Sequence, residues 1–122
     1  MAKENKMKPH ILQKAIELAS QLQNKKQRLC AIVTDKRGHI LNIGFNSYNK
    51  TSTTQAYYAD KVGLSNKIYV HAEIGALTNL QGKPETIYVA RINRKNEPVP
   101  ASPCPICQMA IADAGIKEII TT

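Results

Sequence analysis

The sequence predicts an α/β fold: a mixed sheet of about four strands with helices packed on it. Three observations carry that expectation. Apolar residues recur at helical spacing in separate stretches, short runs rich in β-branched residues lie between them, and turn residues mark the boundaries. At 122 residues there is room for one core but not two, so residues 1–122 are expected to form a single domain. Apolar residues at 43% and charged residues at 21% are ordinary for a soluble globular protein. With one Phe, five Tyr and no Trp, the core must be mostly Ile, Leu, Val and Ala.

Residues 1–8 are polar and are expected to fray. From Pro9, a favoured first-turn residue, Ile11, Ala15, Leu18 and Leu22 recur at helical spacing, widened by Leu12, Ile16 and Ala19. Asn24-Lys25-Lys26 marks the end of that helix. Leu29 to Thr34 reads as a buried strand, Asp35-Lys36-Arg37-Gly38 as a turn, and His39 to Phe45 as a returning strand, which makes an antiparallel hairpin. Residues 46–66 begin as polar loop. Gln55 to Val62 can form a short helix stopped by Gly63, and the whole stretch suits a lid or substrate-contacting segment. Ile68-Tyr69-Val70 leads into His71, and Ala72, Ile74, Ala76, Leu77 and Leu80 give a helix closed at Gln81-Gly82. Thr86 to Ile92 is a strand, Asn93 to Ser102 a polar loop, Cys104 to Ala114 a helix stopped by Gly115, and Ile116 to Thr121 a last strand. The passage from 86–92 through that helix to 116–121 should be a right-handed parallel crossover.

Charge and cysteine usage narrow the setting. The net charge of +8 comes from residues 1–70, where twelve basic residues face four acidic ones. Residues 71–122 hold five of each. An anionic substrate, nucleotide phosphate or nucleic-acid backbone, would be attracted. A plainly basic, solvated surface reads equally well, and no arginine-rich run marks a nucleic-acid face. Cys30, Cys104 and Cys107 are an odd number, two of them in a CxxC, which suits a metal site in a reducing compartment better than a disulfide framework. Neither a signal-peptide core nor an apolar run long enough for a bilayer is present, so the expected location is the cytoplasm, away from membranes.

Two stretches carry chemistry: Val70-His71-Ala72-Glu73 and Pro103-Cys104-Pro105-Ile106-Cys107. Cysteines three apart at a helix start point their sulfurs to one side, where the helix dipole favours thiolate. His71 can complete a His-Cys-Cys set for Zn2+, one ligand short of a closed structural site, leaving a place for water. Zinc lowers the pKa of such a water to about 7. Glu73, not needed as a ligand, is placed to take that proton and deliver it to a substrate. A closed four-ligand zinc site that recruits Cys30, His10 or His39 is the structural alternative.

H-x-E followed by P-C-x-x-C is the pairing that marks zinc nucleobase deaminases. In these stretches the chain resembles the cytidine deaminase-like superfamily, and within it the deoxycytidylate deaminase branch. Gly44-Phe45-Asn46-Ser47 is similar to the branch's Gly-Tyr-Asn-Gly, and Ala114 to Ile120 to its passage from last helix to fourth strand. The resemblance implies a three-layer α/β/α deaminase domain with zinc on His71, Cys104 and Cys107, and Glu73 as proton shuttle. It implies that Asn46 holds the sugar or base, and that the Ala72 backbone N–H and Ser102 carbonyl read the base edge. The reaction would convert a cytosine nucleotide, dCMP, to dUMP by hydroxide attack at C4 and loss of ammonia. Three departures bear on substrate: Ser47-Tyr48-Asn49 follows Asn46 in place of Gly-aromatic-Pro, Gly75 stands where the branch commonly carries Asn, and nothing matches the family's further helix and fifth strand. The last implies a homo-oligomer that covers a sheet edge. A deaminase of another base, nucleoside or single-stranded nucleic acid, and a non-catalytic zinc-stabilised binding module, are the alternatives.

Overall fold

The computed structural model describes residues 9–22, 27–67 and 69–122. The polar start, the Asn24-Lys25-Lys26 stop and Ile68 lie outside the described residues. The elements run α1 (Pro9–Ser20), β1 (Arg28–Thr34), β2 (Ile40–Phe45), α2 (Thr53–Lys61), α3 (Ala72–Leu77), β3 (Thr86–Ile92), β4 (Pro98–Val99), α4 (Pro105–Asp113) and β5 (Glu118–Thr121). β1 lies between β2 and β3 and is antiparallel to both. The other side of β3 is shared: Thr86 to Val89 pair in parallel with β5, and Arg91 and Ile92 pair antiparallel with β4. The expected antiparallel hairpin and parallel crossover are both present.

Residues 29–33 of β1 and 87–90 of β3 read as apolar runs because both faces of these strands are covered. Cys30, Ile32, Tyr88, Ala90 and Ile92 pack against the α1 stripe of Ile11, Ala15 and Ala19. Ala31, Val33, Ile87 and Val89 point the other way, against Ala72 and Ala76 of α3 and Ile111 of α4. α2 packs on α4 through a third cluster built on Ala59, Ile74, Ile106 and Cys107. The result is three layers: α1, the sheet, and the α2–α3–α4 side that carries both motifs. Arg28, buried at the start of β1, ties the layers at one end by donating to the carbonyls of Ser20 and Asn93 and to Asn96 Oδ1.

Three expectations change. The helix from Ala72 ends at Leu77, short of Gln81: Asn79 takes a left-handed φ of 57°, Thr78 Oγ1 donates to the Ile74 carbonyl at 2.7 Å, and Asn42 of β2 donates to the Thr78 carbonyl at 2.9 Å. The polar loop 93–102 contains a fifth strand, β4. Asn93 Oδ1 accepts from Lys95 and Glu97 N–H, and Asn96 turns the chain back at φ 63°. The helix expected from Gln55 starts at Thr53, because Ser52 caps it by accepting from Gln55 N–H. Among the described residues no helix is long and apolar enough to cross a membrane.

Candidate active site

The first motif is held by backbone pairing with the loop that follows β2. Ser47 N–H donates to the Val70 carbonyl at 3.0 Å, Val70 N–H to the Lys50 carbonyl at 2.9 Å, and Thr51 bridges to Tyr69. His71 then caps α3 in an extended conformation, φ −87° and ψ 155°, without a side-chain capping bond. Its N–H donates to Gln55 Oε1 at 3.1 Å and its carbonyl accepts from Gly75 N–H at 3.0 Å. The second motif is an N-cap as well: Cys104 precedes α4, Pro105 occupies the first turn, and the Cys104 carbonyl accepts from Gln108 N–H at 2.8 Å. Proline suits this position because its missing N–H would have had no partner in the helix.

Two helix starts therefore meet. His71 Nδ1 lies 3.3 Å from Cys107 Sγ and 3.5 Å from Cys104 Sγ, and the three donor atoms all fall within 4.8 Å of one another. Tetrahedral zinc with bonds of about 2.0 Å to nitrogen and 2.3 Å to sulfur separates such donors by about 3.6 Å. The spacing and the His-Cys-Cys donor chemistry both fit zinc. Cys30 is buried on the α1 side of the sheet, His10 is exposed on α1, and exposed His39 pairs with Asp35 at 3.4 Å, so none of them joins the group.

The thiols share one charge. A hydrogen bond from the Cys107 thiol holds Cys104 far below the usual thiol range, at about 4, and the same bond pushes Cys107 up. The hydrogen bond with Cys104 raises the His71 pKa against the effect of burial. Burial pushes the Glu73 carboxyl up, and at 4% exposure this is, among the described residues, the one carboxylate in the wall of the cavity beside the group. A raised carboxyl pKa suits a group that must both take and give a proton.

That cavity has a volume of about 500 Å³, within the range usual for small-molecule sites. Of the residues that the deaminase resemblance picks out, all but the buried Cys107 line it: Asn46, His71, Ala72, Glu73, Ser102 and Cys104. Asn46 is already engaged, with Oδ1 accepting from Leu29 N–H at 2.8 Å and Nδ2 donating to the Gln27 carbonyl at 3.0 Å. The 46–66 segment contributes Ser47, Tyr48 and Asn66, with Lys67 and Tyr69 beside it. Lys67 and Arg91 are the cationic lining residues. Sequence reasoning missed both, as it missed Gln55: Arg91 is a half-buried cation in the same strand phase as buried Ile87 and Val89, and nothing local distinguishes Lys67 from the other lysines of the basic front half.

Residues 5–122 match the family model described as the cytidine and deoxycytidylate deaminase zinc-binding region. Taken with the His71-Cys104-Cys107 group, the match identifies the cofactor as Zn2+. The chain is similar to the crystal structure of dCMP deaminase from the cyanophage S-TIM5 in apo form, with 27% identity, 94% of this chain and 84% of that chain covered, and a TM-score of 0.59. The structure of that cyanophage protein in complex with dCMP and dUMP aligns at 23% identity, 94% and 82% coverage and a TM-score of 0.61, a likeness of fold. No curated protein matches the chain.

Proposed function

We propose, from the premise that this chain belongs to the cytidine and deoxycytidylate deaminase zinc-binding family, that it hydrolyses dCMP to dUMP and ammonia. The observation that carries the reading is the His71-Cys104-Cys107 group, of which His71 and Cys104 share the wall of one cavity with buried Glu73. In this reading residues 1–122 act as one deaminase domain, and His71, Cys104 and Cys107 hold the zinc. Zinc, when bound, supplies the Lewis acidity that brings the pKa of a water down to about 7. Glu73 Oε takes a proton from the attacking water and gives it to cytosine N3 as the C4–O bond forms, then takes the proton of the hydroxyl now on C4 and passes it to the amino nitrogen as the C4–N bond breaks, leaving a C4 carbonyl and ammonia. Its burial supports this traffic, because a desolvated carboxylate gains by accepting a proton. The Ala72 N–H suits the O2 acceptor of cytosine and the Ser102 carbonyl suits the amino group that departs. Asn46 keeps a second Nδ2 hydrogen for the sugar or base once its bond to Gln27 is made.

A free nucleotide is favoured over a nucleoside because, among the described residues, Lys67 and Arg91 give the cavity two cations against the one carboxylate of Glu73. The free thiols Cys30, Cys104 and Cys107 support a reducing, cytoplasmic setting. Exposed Ile40 on β2 and Ile119 on β5, both outer strands, support a homo-oligomer. Ammonia release across cytosine and adenine bases, nucleosides, nucleotides and single-stranded oligonucleotides tests the substrate. Turnover of dCMP with little salt dependence is the expected result, and activity confined to oligonucleotides would sink it. Glu73→Ala should retain zinc and fold while ammonia release falls by about 10²-fold or more. An unchanged rate would leave a binding module in place of an enzyme.

A further inference from the structure

We infer that Gln55 of α2 is a positioning residue for the metal centre, fixing the backbone of His71 from behind; this rests on the zinc-deaminase reading above. Gln55 is fully buried at 0% exposure, on the apolar face of α2 with Ala59. A buried primary amide must satisfy both its ends, and this one does so across a single segment. Nε2 donates to the Lys67 carbonyl at 3.1 Å, and Oε1 accepts from His71 N–H at 3.1 Å. Between those contacts the chain passes Tyr69 and Val70, and all four of Lys67, Tyr69, Val70 and His71 line the cavity.

Leucine would fill the same space without two polar groups to match, so burial alone does not call for an amide here. What the amide adds is position. His71 has no side-chain capping bond, since its ring faces the two sulfurs. The N–H of an N-cap residue lies outside the helix ladder and needs an outside partner. Gln55 supplies it, and so sets the point and direction from which the imidazole leaves the main chain. Its other end holds Lys67, so one side chain sets the spacing between a metal-binding imidazole and a cation at the cavity wall.

The test uses zinc affinity by competition with a chromophoric chelator, and the visible absorption of the Co2+-substituted 122-residue chain. Gln55→Met keeps length and drops both bonds. It should stay folded by circular dichroism, bind zinc about tenfold more weakly, and give a shifted Co2+ band. Gln55→Glu keeps an acceptor for His71 N–H and should retain more zinc affinity than Gln55→Met. A Met variant that matches the parent in both affinity and spectrum overturns the inference. Should the Met variant not fold, the Glu variant decides: zinc affinity kept supports the role, and affinity lost despite the retained acceptor overturns it. His71→Ala is the control. If it binds zinc as the parent does, the reading of the site fails rather than the role of Gln55.

Discussion

Lys67 and Arg91 come to the cavity from different parts of the chain, one from the segment before the first motif and one from β3. Arg91 spends one N–H on the Pro100 carbonyl at 3.4 Å, leaving most of its guanidinium donors available to a phosphate. A charge-assisted hydrogen bond contributes about 1.5–3 kcal/mol, which is about tenfold or more in binding. Arg91→Ala and Lys67→Ala should therefore each raise KM for dCMP about tenfold while deoxycytidine turnover barely moves. Steady-state kinetics on the two substrates checks this, and equal losses on both would assign the cations a role other than phosphate binding. The remaining cysteine, Cys30, lies in the strand that the sequence predicts to be buried. Burial pushes the Cys30 thiol up to about 12, so it stays neutral and packs as a small hydrophobe.

Between elements, the tightest constraint is the crossing of β2 and α3. A Cβ on Gly44 would lie 2.3 Å from both the Ala72 carbonyl oxygen and the Ala76 nitrogen, backbone atoms that cannot step aside. One on Gly75 would meet Gly44 Cα at 3.5 Å, an ordinary contact. Gly44→Ala should cost about 3 kcal/mol, the upper end for overpacking. Gly75→Ala should be neutral or stabilising by about 1 kcal/mol, from helix propensity. Urea denaturation of the two variants separates them, and equal effects would refute the crossing as described. The same crossing bears on Gly75: a side chain here starts out against the backbone of Gly44 and Phe45. Sequence periodicity found α3 but overran its end, because what stops it is Asn42, a partner from another element. β4 escaped notice for a related reason. Two residues, one of them proline, carry no alternation to read, and only the turn at Asn93–Asn96 brings them to β3.

For the molecule as a whole, the zinc group joins two helices that otherwise meet through an apolar cluster, Ile74 of α3 against Ile106 and Ala110 of α4, on the same side of the sheet. Metal that binds the folded state alone stabilises it by mass action. Chelation should thus lower Tm by about 10 °C or more, reversibly on adding Zn2+; a Tm that ignores chelator would mean the helices are held without metal. The residues of the candidate site, His71, Cys104, Cys107 and Glu73, were picked out in the sequence because metal chemistry dictates residue type and local spacing, as in Cys104 and Cys107 one helical turn apart. Gln55 was not, since a glutamine in a polar stretch looks solvated until the fold buries it. The Thr51–Tyr69 bridge adds one last consequence. It brings the two ends of the α2 excursion together, so the chain between them is an exchangeable cassette in which related proteins could swap one cavity wall for another. Such grafts should leave the metal motif intact as long as the incoming piece brings a side chain that can do for His71 what Gln55 does.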